Sequence, residues 1–192
     1  EDKEKAAQLT RNNFNGLAAY EEKDETPFRF GSFTTMGELY VETGLNELRM
    51  SNYRRILSLD SAMVVVQFDK DGGQYQRKYF ISYPDSVMVM KFTANQSGKQ
   101  NLILSYCPNS EAKSNLRADG KDGLVYTGVL DNNGMKFAFR IKAIHKGGTL
   151  EAENDRLIVK GADEVVFLLT ADTDYKMNFN PDFKDPKTYV GN

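Results

Sequence analysis

The chain has 192 residues, of which 40% are apolar and 27% charged, and its formal net charge is -2. That length and balance suit one large globular domain with its own core. Scattered basic residues exclude a nucleic-acid or anionic-membrane surface, and the single cysteine, Cys107, excludes an intramolecular disulfide. No apolar run approaches the roughly 18 residues of a membrane-spanning helix.

Residues 2–15 predict a helix. They are rich in alanine, lysine, glutamate and glutamine, which are good helix formers. Asp2 can cap the start and Gly16 the end. Ala6, Leu9, Asn13 and Phe14 form only a modest apolar stripe. Residues 17–29 read as a charged loop around Pro27.

From Phe33 onward the pattern is almost all strand. The predicted strands are residues 36–43, 53–57, 62–68, 74–83, 87–93, 101–106, 124–130, 135–144, 149–154, 157–159 and 165–170. Turn signals separate them: Asp71-Gly72, Pro84-Asp85, Asp119-Gly120, Asp122-Gly123, Asn133-Gly134, Gly147-Gly148 and Asn154-Asp155. Many short strands with such turns predict an all-β fold, a large antiparallel β-sandwich preceded by one short helix.

Residues 135–143 alternate cleanly. Phe137, Phe139, Ile141 and Ala143 face one way, and Lys136, Arg140 and Lys142 the other, which predicts a strand with one wet face. Residues 87–93 and 165–169 are apolar on both faces and are expected to be central. The expected core includes Val64, Val66, Val87, Val89, Phe137, Phe139, Val166 and Leu168. The tail, residues 176–192, reads as a linker. The expected division is thus 1–29 for the helix and charged loop, 30–175 for the sandwich and 176–192 for the linker.

Few residues suggest chemistry. Asp69-x-Asp71-Gly72 begins like a calcium loop, but its glycine comes too early and Phe80 occupies the place of the bidentate glutamate. It reads as a hairpin turn. Cys107 and His145 form the one thiol–base pair on offer. No motif supports a dyad, so Cys107 is expected as a small core residue and His145 at the surface. Asp172 and Asp174 are the carboxylate pair to test for glycosidase chemistry. Their spacing at a strand end favours turn and cap roles. Tyr75, Tyr79, Ile81 and Tyr83 share a face that is expected to be core rather than a sugar platform. Asn95-Gln96-Ser97 matches an N-glycosylation pattern. No catalytic, cofactor-binding or metal-binding residue is assigned within the chain.

Three segments carry a resemblance to a known family. The first includes Tyr53, Arg54, Arg55, Leu57, Leu59, Ala62, Gly73, Tyr75, Arg77, Phe80, Ser82, Pro84, Asp85, Val87 and Val89. The second runs from Gly31-Ser32-Phe33 through Gly37-Glu38-Leu39-Tyr40. The third runs from Lys160-Gly161-Ala162-Asp163-Glu164 through Ala171-Asp172-Thr173-Asp174-Tyr175. In order and spacing they resemble the N-terminal β domain of glycoside hydrolase family 95, the family of α-L-fucosidases that act on terminal α-1,2-linked fucose.

The resemblance implies a non-catalytic domain that begins inside the family's β region. It implies that the catalytic residues lie in a separate (α/α)6 barrel, which would be the domain's partner along with the parent's glycan substrate. It also favours a bacterial, exported enzyme, periplasmic or secreted. The truncated domain would expose surfaces that favour self-association. The rival expectation is an independent glycan-binding module. The absence of tryptophan among 10 tyrosines and 12 phenylalanines weighs against it, since flat sugar platforms favour large rings. A freestanding enzyme ranks last, for want of an acid–base or metal set.

Overall fold

The structure is a computed structural model, and it describes residues 2–14, 34–46, 48–108, 112–131, 134–153 and 155–176. Two compact units are distinguished. One contains the helix α1, Asp2–Phe14, whose first turn carries Asp2 and Glu4. Acidic groups there oppose the positive end of the helix dipole. Leu9 is exposed, so the modest apolar stripe expected from the sequence is not a buried one there.

The other unit contains the β structure, residues 36–174. Its strands are β1 Gly37–Glu42, β2 Ser51–Ser58, β3 Met63–Lys70, β4 Gly73–Ser82, β5 Val87–Ala94 and β6 Gln100–Pro108. They continue with β7 Ala112–Asp119, β8 Gly123–Leu130, β9 Lys136–Lys146, β10 Thr149–Ala152, β11 Arg156–Ala162 and β12 Glu164–Thr173. Two antiparallel sheets result. One has four strands in the order β1-β6-β11-β10, the other eight in the order β2-β3-β4-β5-β12-β9-β8-β7. The fold is an all-β sandwich.

Local turn chemistry sets the meander β2–β5. Asp71 and Gly72 both take positive φ, 49° and 76°, between the paired residues Lys70 and Gly73. This is the two-residue turn whose twist matches flanking strands. Gly147 and Gly148, at φ 70° and 63°, join β9 to β10. A Cβ at Gly148 would meet the Lys160 carbonyl oxygen at 2.2 Å, so both backbone conformation and space demand glycine there.

The main core lies between the sheets. It joins Leu102, Leu104, Leu157, Val159 and Ala162 of the small sheet to Met90, Phe92, Leu124, Tyr126, Phe137, Phe139, Ile141, Val165 and Phe167 of the large one. Tyr106, Tyr126 and Phe139 pack with ring centroids 4.5–5.0 Å apart. The Tyr106 hydroxyl donates to the Met36 carbonyl, and burial pushes its phenol well above the ordinary range. A second cluster of Val66, Phe68 and Tyr75 lies under Leu45 and Met50 of the β1–β2 connection. The Arg77 guanidinium joins the two clusters, 5.0 Å from the Phe68 ring and 5.9 Å from the Phe92 ring, where ring quadrupoles favour a cation.

Four expectations are corrected. The buried side chains of β5 are Met90 and Phe92, whereas Val87 and Val89 are half-buried on the opposite face. The same inversion holds in β12, where Val165 and Phe167 are buried and Val166 and Leu168 half-buried. Both strands are apolar on two faces, so parity had to come from pairing: Val165 sits opposite Phe92 and Phe167 opposite Met90. Val64 is half-buried as well. Strand β7 was not expected, because the run AKSNLRAD has no sustained apolar alternation and lies at a sheet edge. Expectations on residues 17–29, on the tail beyond 176, and on Asn133 and Asn154 lie outside the described residues.

Candidate functional site

The carboxylate pair proves to be backbone chemistry. Asp174 is 4% exposed. Its carboxylate accepts the Lys136 backbone N–H at 2.8 Å, and its own N–H donates to the Lys136 carbonyl at 3.0 Å. Asp172 accepts the N–H of Thr173 at 2.7 Å. Asp174 therefore ties the end of β12 to the start of β9, whereas the Asp172 contact stays within β12; both satisfy backbone N–H groups, as expected of them. Asn95 likewise accepts the Gln74 N–H at 2.8 Å.

Cys107 and His145 are not brought together by pairing. Cys107 lies in the four-stranded sheet opposite Glu38, and His145 in the eight-stranded sheet opposite Val165. Cys107 is exposed, which corrects the expectation of a core residue. The apolar strand β6 buries Leu102 and Leu104, and Cys107 falls on its exposed end. His145 is exposed, as expected, with Nδ1 2.8 Å from the Gly147 carbonyl. The tyrosine stripe divides. Tyr75 is buried and Tyr79 half-buried, but Ile81 and Tyr83 are 71% and 93% exposed. Half of the expected core face thus lies open.

Two features escaped the sequence reading. Lys70 is 6% exposed. Its ammonium donates to the Leu48 carbonyl and lies 3.8 Å from the Asp71 carboxylate. It closes a shallow cleft of about 410 Å³ lined also by Gly44, Leu45, Asn46 and Arg49. Pairing of the buried charge makes this a structural anchor for the β1–β2 connection.

The second feature is the outer face of the four-stranded sheet. Tyr40 and Arg156 both sit opposite Ser105, so the three form one cross-strand row. Adjacent strands are roughly 5 Å apart, which puts the row's ends roughly 10 Å apart. Tyr40 is 49% exposed, and its hydroxyl donates to Glu38, two residues away on the same strand face. That hydrogen bond raises the phenol's pKa. Arg156 is held protonated by a 2.7 Å hydrogen bond to Glu153, with Glu42 contributing. An exposed ring beside carboxylates, a hydroxyl and a guanidinium can hold a polyhydroxylated ligand. The alternation of Glu38, Tyr40 and Glu42 was readable in the sequence; the pairing with Arg156 was not.

Comparison with known proteins fits these observations. Residues 1–178 match the family model described as "Glycosyl hydrolase family 65, N-terminal domain". "Probable alpha-fucosidase A" of Aspergillus niger is 28% identical over 163 residues, which cover 79% of this chain and 19% of that protein. "Alpha-L-fucosidase 2" of Arabidopsis thaliana is 22% identical over 167 residues, covering 74% of this chain and 20% of that protein. The chain thus spans about a fifth of the length of these curated relatives. A solved structure named "Putative kojibiose phosphorylase from human microbiome" superposes with a TM-score of 0.50 at 10% identity, over 71% of this chain and 22% of that one. It shares the fold.

Proposed function

We infer the function from one premise: the chain belongs to the glycosyl hydrolase family 65 N-terminal domain family. It is the N-terminal domain of a glycoside hydrolase-like protein. Our finer reading is that the parent is an α-L-fucosidase of the family 95 type, hydrolysing terminal α-1,2-linked L-fucose or a related sugar. In that reading this domain is non-catalytic and packs against an (α/α)6 barrel that binds the glycan. The supporting observation is the likeness to the Aspergillus niger and Arabidopsis thaliana proteins, which extends over most of this chain but only a fifth of theirs.

Hydrolysis of a glycosidic bond needs an acid to protonate the leaving oxygen and a second group to activate water on the opposite face of the sugar. Asp172 and Asp174 accept backbone N–H groups instead. The reacting groups are assigned to the rest of the longer protein. The test is to assay the isolated chain and the longer protein on aryl α-L-fucosides and α-L-galactosides. Turnover is expected from the longer protein alone. Turnover by the isolated chain, abolished by changing one of its own carboxylates, would overturn the reading.

A second reading, an independent glycan-binding module, has one observation in its favour: the row of Tyr40, Ser105 and Arg156. Under it, titration of the isolated chain with fucosylated oligosaccharides shifts the amide resonances of β1 and β6, and Tyr40→Ala removes the shifts. Absence of shifts at millimolar sugar rejects this alternative.

A further inference from the structure

One apolar row crosses the inner face of the eight-stranded sheet. Leu57 sits opposite Val64, Val64 opposite Tyr79, Tyr79 opposite Met90 and Met90 opposite Phe167. Along it exposure falls from 65% at Leu57 to 4% at Met90 and 0% at Phe167. Beside it runs a second row in which Ile81 sits opposite Met88, and Met88 opposite Leu169. Ile81 is 71% exposed, whereas Met88 and Leu169 pack against the main core. Leu59 and Tyr83, in the turns at this end, are 83% and 93% exposed.

The side-chain chemistry is the same along each row. What changes is the cover. The four-stranded sheet buries the central part, and the β2–β4 end projects beyond it. Single exposed apolar residues are ordinary, but a contiguous group of large ones marks an interaction surface. The same end is a sheet edge among the described residues, where β2 pairs only with β3, and an unpaired edge is normally blunted or covered. Arg55 lies exposed on β2, two residues from Leu57 and on the same sheet face. An apolar centre with a charged rim is the anatomy of a specific interface.

We propose that this open end of the eight-stranded sheet docks the rest of the longer polypeptide. The occupant is an apolar surface that covers Leu57, Leu59, Ile81 and Tyr83 and presents an acidic side chain to Arg55. This rests on reading the chain as one domain of a longer hydrolase. The relatives supply the reason for that occupant, since roughly four-fifths of their length lies outside the matched region. A covering domain in the same polypeptide also meets the patch at high effective concentration.

The test co-expresses the tagged chain with the remaining region of its own gene. Captured partner and amide exchange in β2 and at the end of β4 are then measured. The double variant Leu57→Ser/Ile81→Ser is compared with Ile144→Ser, a control on the opposite sheet face that is also exposed, at 51%. The expected result is capture by the wild type and the control, with slowed exchange at the patch, and at least a tenfold loss of capture by the double variant. The isolated double variant should melt within about 2 °C of wild type, because its altered side chains are exposed.

Three results overturn the proposal: no capture by the wild type, equal capture by the double variant, or a double variant that only disperses a dimer of this chain while capture persists. Activity of the longer protein on aryl fucosides is read in parallel. Docking without any glycosidase activity leaves the surface standing and removes the hydrolase reading. Activity with docking insensitive to the double variant does the reverse.

Discussion

The two ends of the eight-stranded sheet are built alike and live in different surroundings. Toward β9 and β8, inward side chains such as Phe137, Phe139 and Ile141 are at most 5% exposed beneath the four-stranded sheet. Toward β2 and β4, inward side chains such as Leu57 and Ile81 are more than 60% exposed. Hydrophobic stabilisation follows area removed from water rather than residue type. The first end should therefore hold the domain together, and the second should contribute little until something covers it.

Substitutions can break that contrast. The largest effect is expected at Phe139 and Phe167, where truncation to alanine leaves a cavity between the sheets and should cost roughly 3–5 kcal/mol each in chemical denaturation. A loss below about 1 kcal/mol, the range of surface sites, would show that the sheets do not pack as described. Asp174→Ala should cost about 1–3 kcal/mol, since it strands the Lys136 N–H beside a buried position; an unchanged denaturation midpoint would mean that the β12–β9 tie is dispensable. Leu168→Ala should cost about 1 kcal/mol, because Leu168 is half-buried on the outer face. A cost equal to that of Phe167→Ala would restore the inverted parity. The smallest effect is expected for Ile81→Ser in the isolated chain, within about 0.5 kcal/mol. A larger loss would mean that the open end is already covered.

How legible each element was depended on how local its cause is. The β3–β4 hairpin could be read from Asp71-Gly72 because positive φ is a property of those two residues. Strand β9 could be read because its alternation Phe137, Phe139, Ile141 against Lys136, Arg140, Lys142 leaves one orientation open. Strand β7 could not, for its residues carry no burial pattern of their own and are held by pairing with β8. The cap roles of Asp172 and Asp174 were visible as a type of chemistry. That the partner of Asp174 is Lys136, 38 residues away, was not.

The sequence by itself determined the all-β class, the leading helix, the turns and most strand positions of the described residues, since φ preferences and two-residue periodicity act within a few residues. The tertiary structure decided the rest. It chose which face of β5 and β12 is buried, because strands apolar on both sides take their orientation from the register of their neighbours. It put Cys107 in solvent, aligned Tyr40 with Arg156 across two strand pairings, and ended the four-stranded sheet before Leu57 and Ile81. Burial at such positions depends on what another segment covers, and no local pattern encodes that.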